Sequence, residues 1–277
     1  MLNQVTQKLI IDGTMVTSTD QVAFSTSPVY EVIRVMEGVP LFIQGHLERL
    51  FNSLDLAGLN HNITENELIR AISQLVQVTQ IRNNNVRLEV GLNPSEKLTW
   101  VLYWVESVYP NETVYQQGVK TVTHAITREN PHAKIYRSAY AQKIAQVREN
   151  TKAFEVILVN EQGVVTEGSR SNLFFVKGDV IVSALEANVL KGITRNKLLA
   201  LDSFHFEERN ILANELATYD ACFLTGTSIH ILPISQIDDI EYKSSEHSIV
   251  QNLMHAFETE VLKDIEQTRR LFNDEST

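Results

Sequence analysis

Cysteine is nearly absent from this chain, and so is any surplus of positive charge. The 277 residues include one cysteine, Cys222, set in the apolar run Ala221-Cys222-Phe223-Leu224. A lone thiol cannot close an internal disulfide, so core packing must do the holding, and a reducing compartment suits the chain. Lys and Arg number 24 against 34 Asp and Glu, a formal charge of −10. That balance excludes a general binder of nucleic acid or anionic membrane, because both need a basic excess. Any anion must therefore be held locally. No apolar run reaches the length of a membrane span, and the opening residues, MLNQVTQKLIIDG, lack the basic start and long apolar centre of a signal peptide. A cytoplasmic protein is the expectation. Internal repeats and low-complexity segments are also lacking, and nothing in the sequence asks for a metal.

What is present is apolar patterning. The 43% apolar content is enough for a real core in one large domain or two ordinary ones. Residues 9 to 36 read as short strands, followed by GHLERLFNSLDLAGL, where Leu47, Leu50, Phe51 and Leu54 keep helical spacing and Gly58 suits a stop. Thr64 and Glu67 have capping-box spacing, and Ile63 with Leu68 can form the hydrophobic staple of a second helix. VRLEVGL and LTWVLYWVESV read as strands, and Tyr109 to Gly118, polar with a Pro and a Gly, as a linker. Beyond it come a helix near 138 to 149, mostly hairpin-connected strands with turns at Gln162-Gly163 and Gly178-Asp179, and a long closing helix near 245 to 272 striped by Ile249, Leu253, Phe257 and Val261. The expected architecture is α+β in two domains, 1–117 and 118–277.

Several stretches carry residues suited to chemistry, and each has a plainer explanation when taken alone. Gly192 in LKGITRNKLLAL stands at the mouth of a helix, whose free amides and dipole could hold a phosphate; an ordinary connection would look the same. LTGTSIHILPI sets Thr, Gly, Thr and Ser after an apolar strand, either an anion loop or a plain strand end. Arg49 suits paired phosphate oxygens, or simple solvation. Lys134 in NPHAKIY precedes a helix, where a lysine could be held inward or lie on the surface. Glu167, in TEGSRSNLFFV, sits in a polar turn between apolar strands.

Together, a lysine, a carboxylate, two phosphate-type loops and an arginine are the groups that a pyridoxal phosphate site needs. In this combination the chain resembles the class IV aminotransferases, the fold-type IV pyridoxal-phosphate enzymes that include branched-chain amino acid aminotransferase, D-amino acid aminotransferase and 4-amino-4-deoxychorismate lyase. The matching stretches, in the family's order from residue 29 to 234, are VYEVIRV…HLERL, NPHAKI, GVVTEGSRSNLFFVKG, LKGITR and TGTSIHILPI. The resemblance implies the two-domain fold of D-amino acid aminotransferase, with pyridoxal 5′-phosphate between the domains and the lysine carried by the second, and a homodimer. It implies that Lys134, and not Lys120, Lys143 or Lys152, forms the internal Schiff base and carries the proton of the reaction. Glu167 would pair with the pyridine nitrogen, and the GSRSN run would bend the backbone around the cofactor. Arg49, the amides of Ile193 and Thr194, and the Thr227 hydroxyl would hold the phosphate. Tyr30 and Arg87 would face the substrate, and the amides near Thr227 and Ser228 would receive its carboxylate.

The resemblance has departures. Ser25-Thr26-Ser27-Pro28 replaces a Gly-Asp-Gly-like turn, and Arg137 stands where some relatives carry an asparagine. The loop GLNPSEK has neither the arginine nor the histidine with which D-amino acid aminotransferases trap a carboxylate, whereas Arg87 looks like the arginine with which branched-chain enzymes receive glutamate. The implied activity is transfer of an amino group between an amino acid, of the branched-chain L type, and a 2-oxo acid by a ping-pong mechanism. A deoxychorismate-type lyase that eliminates pyruvate and a catalytically silent cofactor-binding protein stay as alternatives.

Overall fold

The computed structural model describes residues 7–18 and 22–274, with side chains at 8–17 and 22–270. Residues 1–6 of the opening stretch MLNQVTQKLIIDG, read above for a signal peptide, lie outside them. Backbone contacts group the chain into two compact units: Met1–Val108 with Ala133–Arg137 and Val261–Thr277, and Tyr109–His132 with Ser138–Glu260. The division thus falls nine residues before the expected boundary at 117/118. The Lys134 segment groups with the first unit and not with the second, where the sequence reading put it.

In the first unit, strands β1 (Gln7–Ile11), β2 (Thr14–Ser18), β3 (Val29–Met36) and β4 (Val39–Pro40) precede helices α1 (Ile43–Leu56) and α2 (Glu65–Thr79) and strands β5 (Asn84–Leu92) and β6 (Leu98–Val105). The sheet runs β2-β1-β6-β5-β3-β4, antiparallel throughout. Strand β3 alternates buried and half-buried residues along its length, the period-2 signature of a sheet with one covered face. Its covered side packs Val29, Ile33 and Val35 against Leu47, Leu50 and Leu54 of α1, together with Ile72 and Leu75 of α2. The second helix starts as its sequence predicts: Thr64 accepts a hydrogen bond from the Glu67 amide at 3.2 Å, with Ile63 and Leu68 both buried. Such a cap contributes about 1 kcal/mol.

The second unit contains α3 (Glu112–Gln117), β7 (Val119–Ala125), α4 (Ser138–Thr151), β8 (Glu155–Val159), β9 (Val164–Gly168), β10 (Asn172–Lys177), β11 (Val180–Ser183), α5 (Ile193–Leu199), β12 (His205–Glu208), β13 (Ile211–Leu212), β14 (Ala221–Gly226), β15 (His230–Ile237) and β16 (Ile240–Glu241). The sheet order is β12-β11-β10-β14-β15-β7-β8-β9-β13, with β16 on β15. Hairpins join much of it, including β10 to β11 through Gly178-Asp179. Two connections differ from the hairpin expectation: β7 pairs with β8 in parallel, with α4 between them in the chain, and β11 pairs with β12 in parallel, with α5 between. A parallel pair cannot be closed by a tight turn, so each needs its helix as a crossover.

The stretch read as a linker is α3. Asn111 caps it by accepting from the Val114 amide at 3.1 Å, and Gly118 ends it at φ 73. A Cβ at Gly118 would come within 2.9 Å of the Ser235 amide, so glycine is required there by backbone angle and by packing together. The last helix, α6 (Ser248–Asp274), buries Val250, Leu253, Phe257, Val261 and Ile265, a stripe that begins at Val250 instead of Ile249. Among the described residues no helix is long and apolar enough to cross a membrane.

Candidate active site

The first unit holds a polar cluster where its strand pattern would otherwise place apolar residues. Glu31 lies on the covered face of β3 and is fully buried. Its partners come from α1, where His46 and Arg49 are three residues apart and so share a helix face. Arg49 donates from Nε to Oε1 and from Nη2 to Oε2, both at 2.7 Å, and His46 Nδ1 lies 2.8 Å from Oε2. Burial alone pushes the Glu31 carboxyl up, but the Arg49 fork and the His46 contact hold it well below the usual carboxylate range. Burial, assisted by the nearby charges of Arg49 and Lys134, pushes His46 below its ordinary value against the pull of Glu31. With Glu31 ionised, neutral His46 carries its proton on Nδ1, and its buried Nε2 has no hydrogen-bond partner.

A pH dependence of stability follows, and both groups act in one direction. A folded-state value below the unfolded one means that the unfolded chain binds more protons as pH falls, so stability is lost on acidification. The loss is expected to begin below the ordinary histidine value of 6.5, from His46, and to deepen below 4.5, from Glu31. Thermal unfolding followed across pH, with His46→Gln alongside, measures it. A melting temperature that holds from neutral pH down to 4.5 in the unsubstituted protein would remove His46 from this account.

The opposite face of the same sheet collects the predicted substrate residues. Tyr30 on β3 is in register with Glu89 on β5, and Arg87 with Tyr103 on β6, so all four side chains project from one side. The Arg87 guanidinium stacks over the Tyr30 ring at 4.4 Å and over Tyr136 at 5.0 Å. Lys134 reaches this face: its Nζ lies 4.8 Å from the centroid of the same Tyr30 ring. The lysine's backbone is pinned independently of its side chain. Its carbonyl accepts from the Tyr30 amide at 2.9 Å, its own amide donates to Ser53 Oγ at 3.1 Å, and Ile135 bridges to Val29. The rival lysines, Lys120, Lys143 and Lys152, are all exposed.

Glu167 is in the second unit, at the end of β9, and almost wholly buried. Arg128 donates from Nη1 to its Oε1 at 3.0 Å. The Leu190 amide donates to Oε2 at 3.0 Å, and Asn172 Nδ2 reaches both Oε2, at 3.3 Å, and the Leu190 carbonyl, at 2.9 Å. Gly192 is packed so tightly on Asn172 that a Cβ would overlap the carboxamide oxygen. Within GSRSN, Ser169 and Ser171 donate their hydroxyls to the buried carboxylate of Glu155 at 2.5 and 3.0 Å. That polar turn neutralises a core carboxylate.

Beyond Gly192, α5 opens with Ile193 and Thr194, both buried, and the amides of a helix's first turn have no partner within the helix. The helix packs on β14. Thr194 Oγ1 and, on β14, Thr225 Oγ1 are buried hydroxyls without a hydrogen-bond partner. Two such orphans are costly unless a ligand meets them, and with the helix amides they suit a phosphate. Thr227 and Ser228 lie in the half-exposed turn between β14 and β15. The sequence reading missed Thr225, Arg128, Glu31, His46 and Asn172. Of these, Glu31 and His46 left a signal: a carboxylate at a covered strand position, and a histidine three residues before an arginine.

The fold has solved counterparts. The branched-chain aminotransferase from Thermoproteus uzoniensis, solved with norvaline, matches with a TM-score of 0.83 over 95% of this chain and 97% of that one, at 22% identity. The architecture is accordingly that of the fold-type IV enzymes. In sequence, the chain is 29% identical to the D-alanine aminotransferase of Bacillus licheniformis, over 87% of this chain and 89% of that protein. It is 28% identical to the branched-chain-amino-acid aminotransferase of Pseudomonas aeruginosa, over 76% of each. Residues 28–237 match the family described as amino-transferase class IV, and the chain belongs to that family.

Proposed function

We propose that this enzyme uses pyridoxal 5′-phosphate to move an amino group between an amino acid and a 2-oxo acid in two successive half-reactions, with a branched-chain L-amino acid as donor. The observation that carries the proposal is the placement of Lys134, half-buried with its amine beside Tyr30 and on the face that holds Arg87, while the rival lysines are exposed. The chain's residues fit the cofactor. The orphaned hydroxyls of Thr194 and Thr225 could donate to phosphate oxygens, and Glu167 offers a buried carboxylate to a protonated ring nitrogen.

When bound, the cofactor supplies an electron-poor ring that draws electrons from a bond at the substrate α-carbon. Lys134 Nζ would hold the cofactor and move the proton at that carbon. Glu167 keeps the ring nitrogen protonated, and its Leu190 and Asn172 contacts fix the carboxylate in place. The Ile193 and Thr194 amides and the Thr227 hydroxyl would hold the phosphate, whereas the Arg49 fork is committed to Glu31. Tyr30 and Arg87 orient the substrate, and the amides at Thr227 and Ser228 receive its carboxylate. The L preference is supported by the β5–β6 loop, where Asn93 Oδ1 accepts from the Ser95 and Lys97 amides and no arginine or histidine is present. A cytoplasmic homodimer completes the proposal.

The test is the visible spectrum of the cofactor-loaded protein before and after single amino acids are added without any oxo acid. A yellow band that fades with valine, leucine or isoleucine supports the proposal. A fixed band with pyruvate release from aminodeoxychorismate would favour the lyase, a fixed band without product would favour silent binding, and fading with D-amino acids alone would overturn the L assignment.

A further inference from the structure

Arg87 is already occupied. Its Nη2 lies 2.6 Å from Glu89 Oε1 and its Nε donates to the same oxygen at 2.8 Å. The other Glu89 oxygen accepts from the Tyr103 hydroxyl at 3.2 Å. Both charged side chains are mostly buried, at 17% and 14% exposure, and the aromatic rings of Tyr30 and Tyr136 cover the guanidinium. Glu89 meets the charge of Arg87, so a second carboxylate arriving here would face a neutralised pair. The resemblance gives Arg87 the task of receiving an acidic side chain, but in this chain the acid is built in two residues along the same strand.

We propose that Glu89 is a specificity-determining residue: by occupying Arg87 beside Lys134, it makes this face of the sheet neutral and turns away substrates with acidic side chains. A second carboxylate arriving here would have to displace Glu89 and strand it, mostly buried, without its cation, or else lie beside it. An uncharged side chain meets tyrosine rings and a neutralised pair and has neither difficulty. The inference rests on the reading that Lys134, Tyr30 and Arg87 face the substrate.

Two non-reacting acids of equal carbon count, glutarate and valerate, separate the possibilities by calorimetry on the cofactor-loaded protein. The unsubstituted enzyme should bind valerate at least as tightly as glutarate and should use glutamine at least about tenfold better than glutamate. Glu89→Gln should move the glutarate-to-valerate affinity ratio at least about tenfold toward glutarate, and Arg87→Gln combined with Glu89→Gln should abolish that gain. An unsubstituted enzyme that prefers glutarate or glutamate overturns the inference without any variant, which covers the case of a Glu89→Gln protein that fails to fold. A ratio unmoved by Glu89→Gln also overturns it, as does binding of neither acid. Borohydride trapping of the cofactor keeps the two questions apart: attachment away from Lys134 sinks the proposed function, whereas attachment at Lys134 with an unmoved ratio sinks only the role of Glu89.

Discussion

Replacing Lys134 with alanine is expected to lower turnover by about 10⁴-fold, the upper range for loss of a positioned proton carrier, while Lys143→Ala leaves it unchanged. The contrast is sharp because the Lys134 backbone is anchored by Tyr30, Ser53 and Val29 through main-chain bonds that alanine keeps. Truncation therefore removes an amine and leaves the scaffold standing, so circular dichroism and melting should match the unsubstituted protein. Lys143 lies on the exposed side of α4. The measurement is turnover for each variant, together with borohydride reduction and peptide mapping of the attached cofactor. Attachment that survives Lys134→Ala and disappears with Lys143→Ala would reverse the assignment.

Glu167→Ala is expected to slow the half-reaction by about 10²- to 10³-fold, the usual scale for removing one preorganised charge from a reacting centre. Cofactor should remain bound through gel filtration, because the proposed phosphate contacts do not involve the carboxylate. One complication comes from the structure itself. Alanine at 167 also removes a carboxylate from beside Arg128, whose side chain is 15% exposed and whose Nη1 lies 3.0 Å from it. Arg128→Met combined with Glu167→Ala resolves it. If the charge of Arg128 causes the defect, the double variant recovers; if the ring nitrogen has lost its partner, the double variant stays slow, and that is the expected result. Unchanged turnover in Glu167→Ala would remove the pyridine role altogether.

Local signals read well from sequence and long-range ones did not. The start of α2 was legible because every participant in the cap, Ile63 to Leu68, lies within six consecutive residues. Lys134, Glu167 and the α5 loop were picked out as motifs, each within a few consecutive residues. The helix at Glu112–Gln117 was not, because a polar stretch with proline and glycine reads as linker until Gly118 is seen against Ser235, far along the chain. The grouping of Ala133–Arg137 with the first unit is likewise a matter of pairing with β3, about a hundred residues away, and nothing local announces it. Arg128 shares that difficulty: its partner, Glu167, is 39 residues distant. Glu89 was visible beside Arg87 all along, but two charges at strand positions two apart can pair or diverge, and only the register with Tyr30 and Tyr103 decides.

The bonds around Asn172 make the second unit a measuring device. One carboxamide ties Glu167 to the Leu190 carbonyl, and Gly192, pressed against that same carboxamide, leads directly into Ile193 and Thr194. The acid proposed for one end of the cofactor and the cradle proposed for the other are thus jaws of a single calliper, whose opening is set by the size of an asparagine. On those proposed roles, a molecule with an acidic tail but no basic ring nitrogen at the matching distance would engage only one jaw.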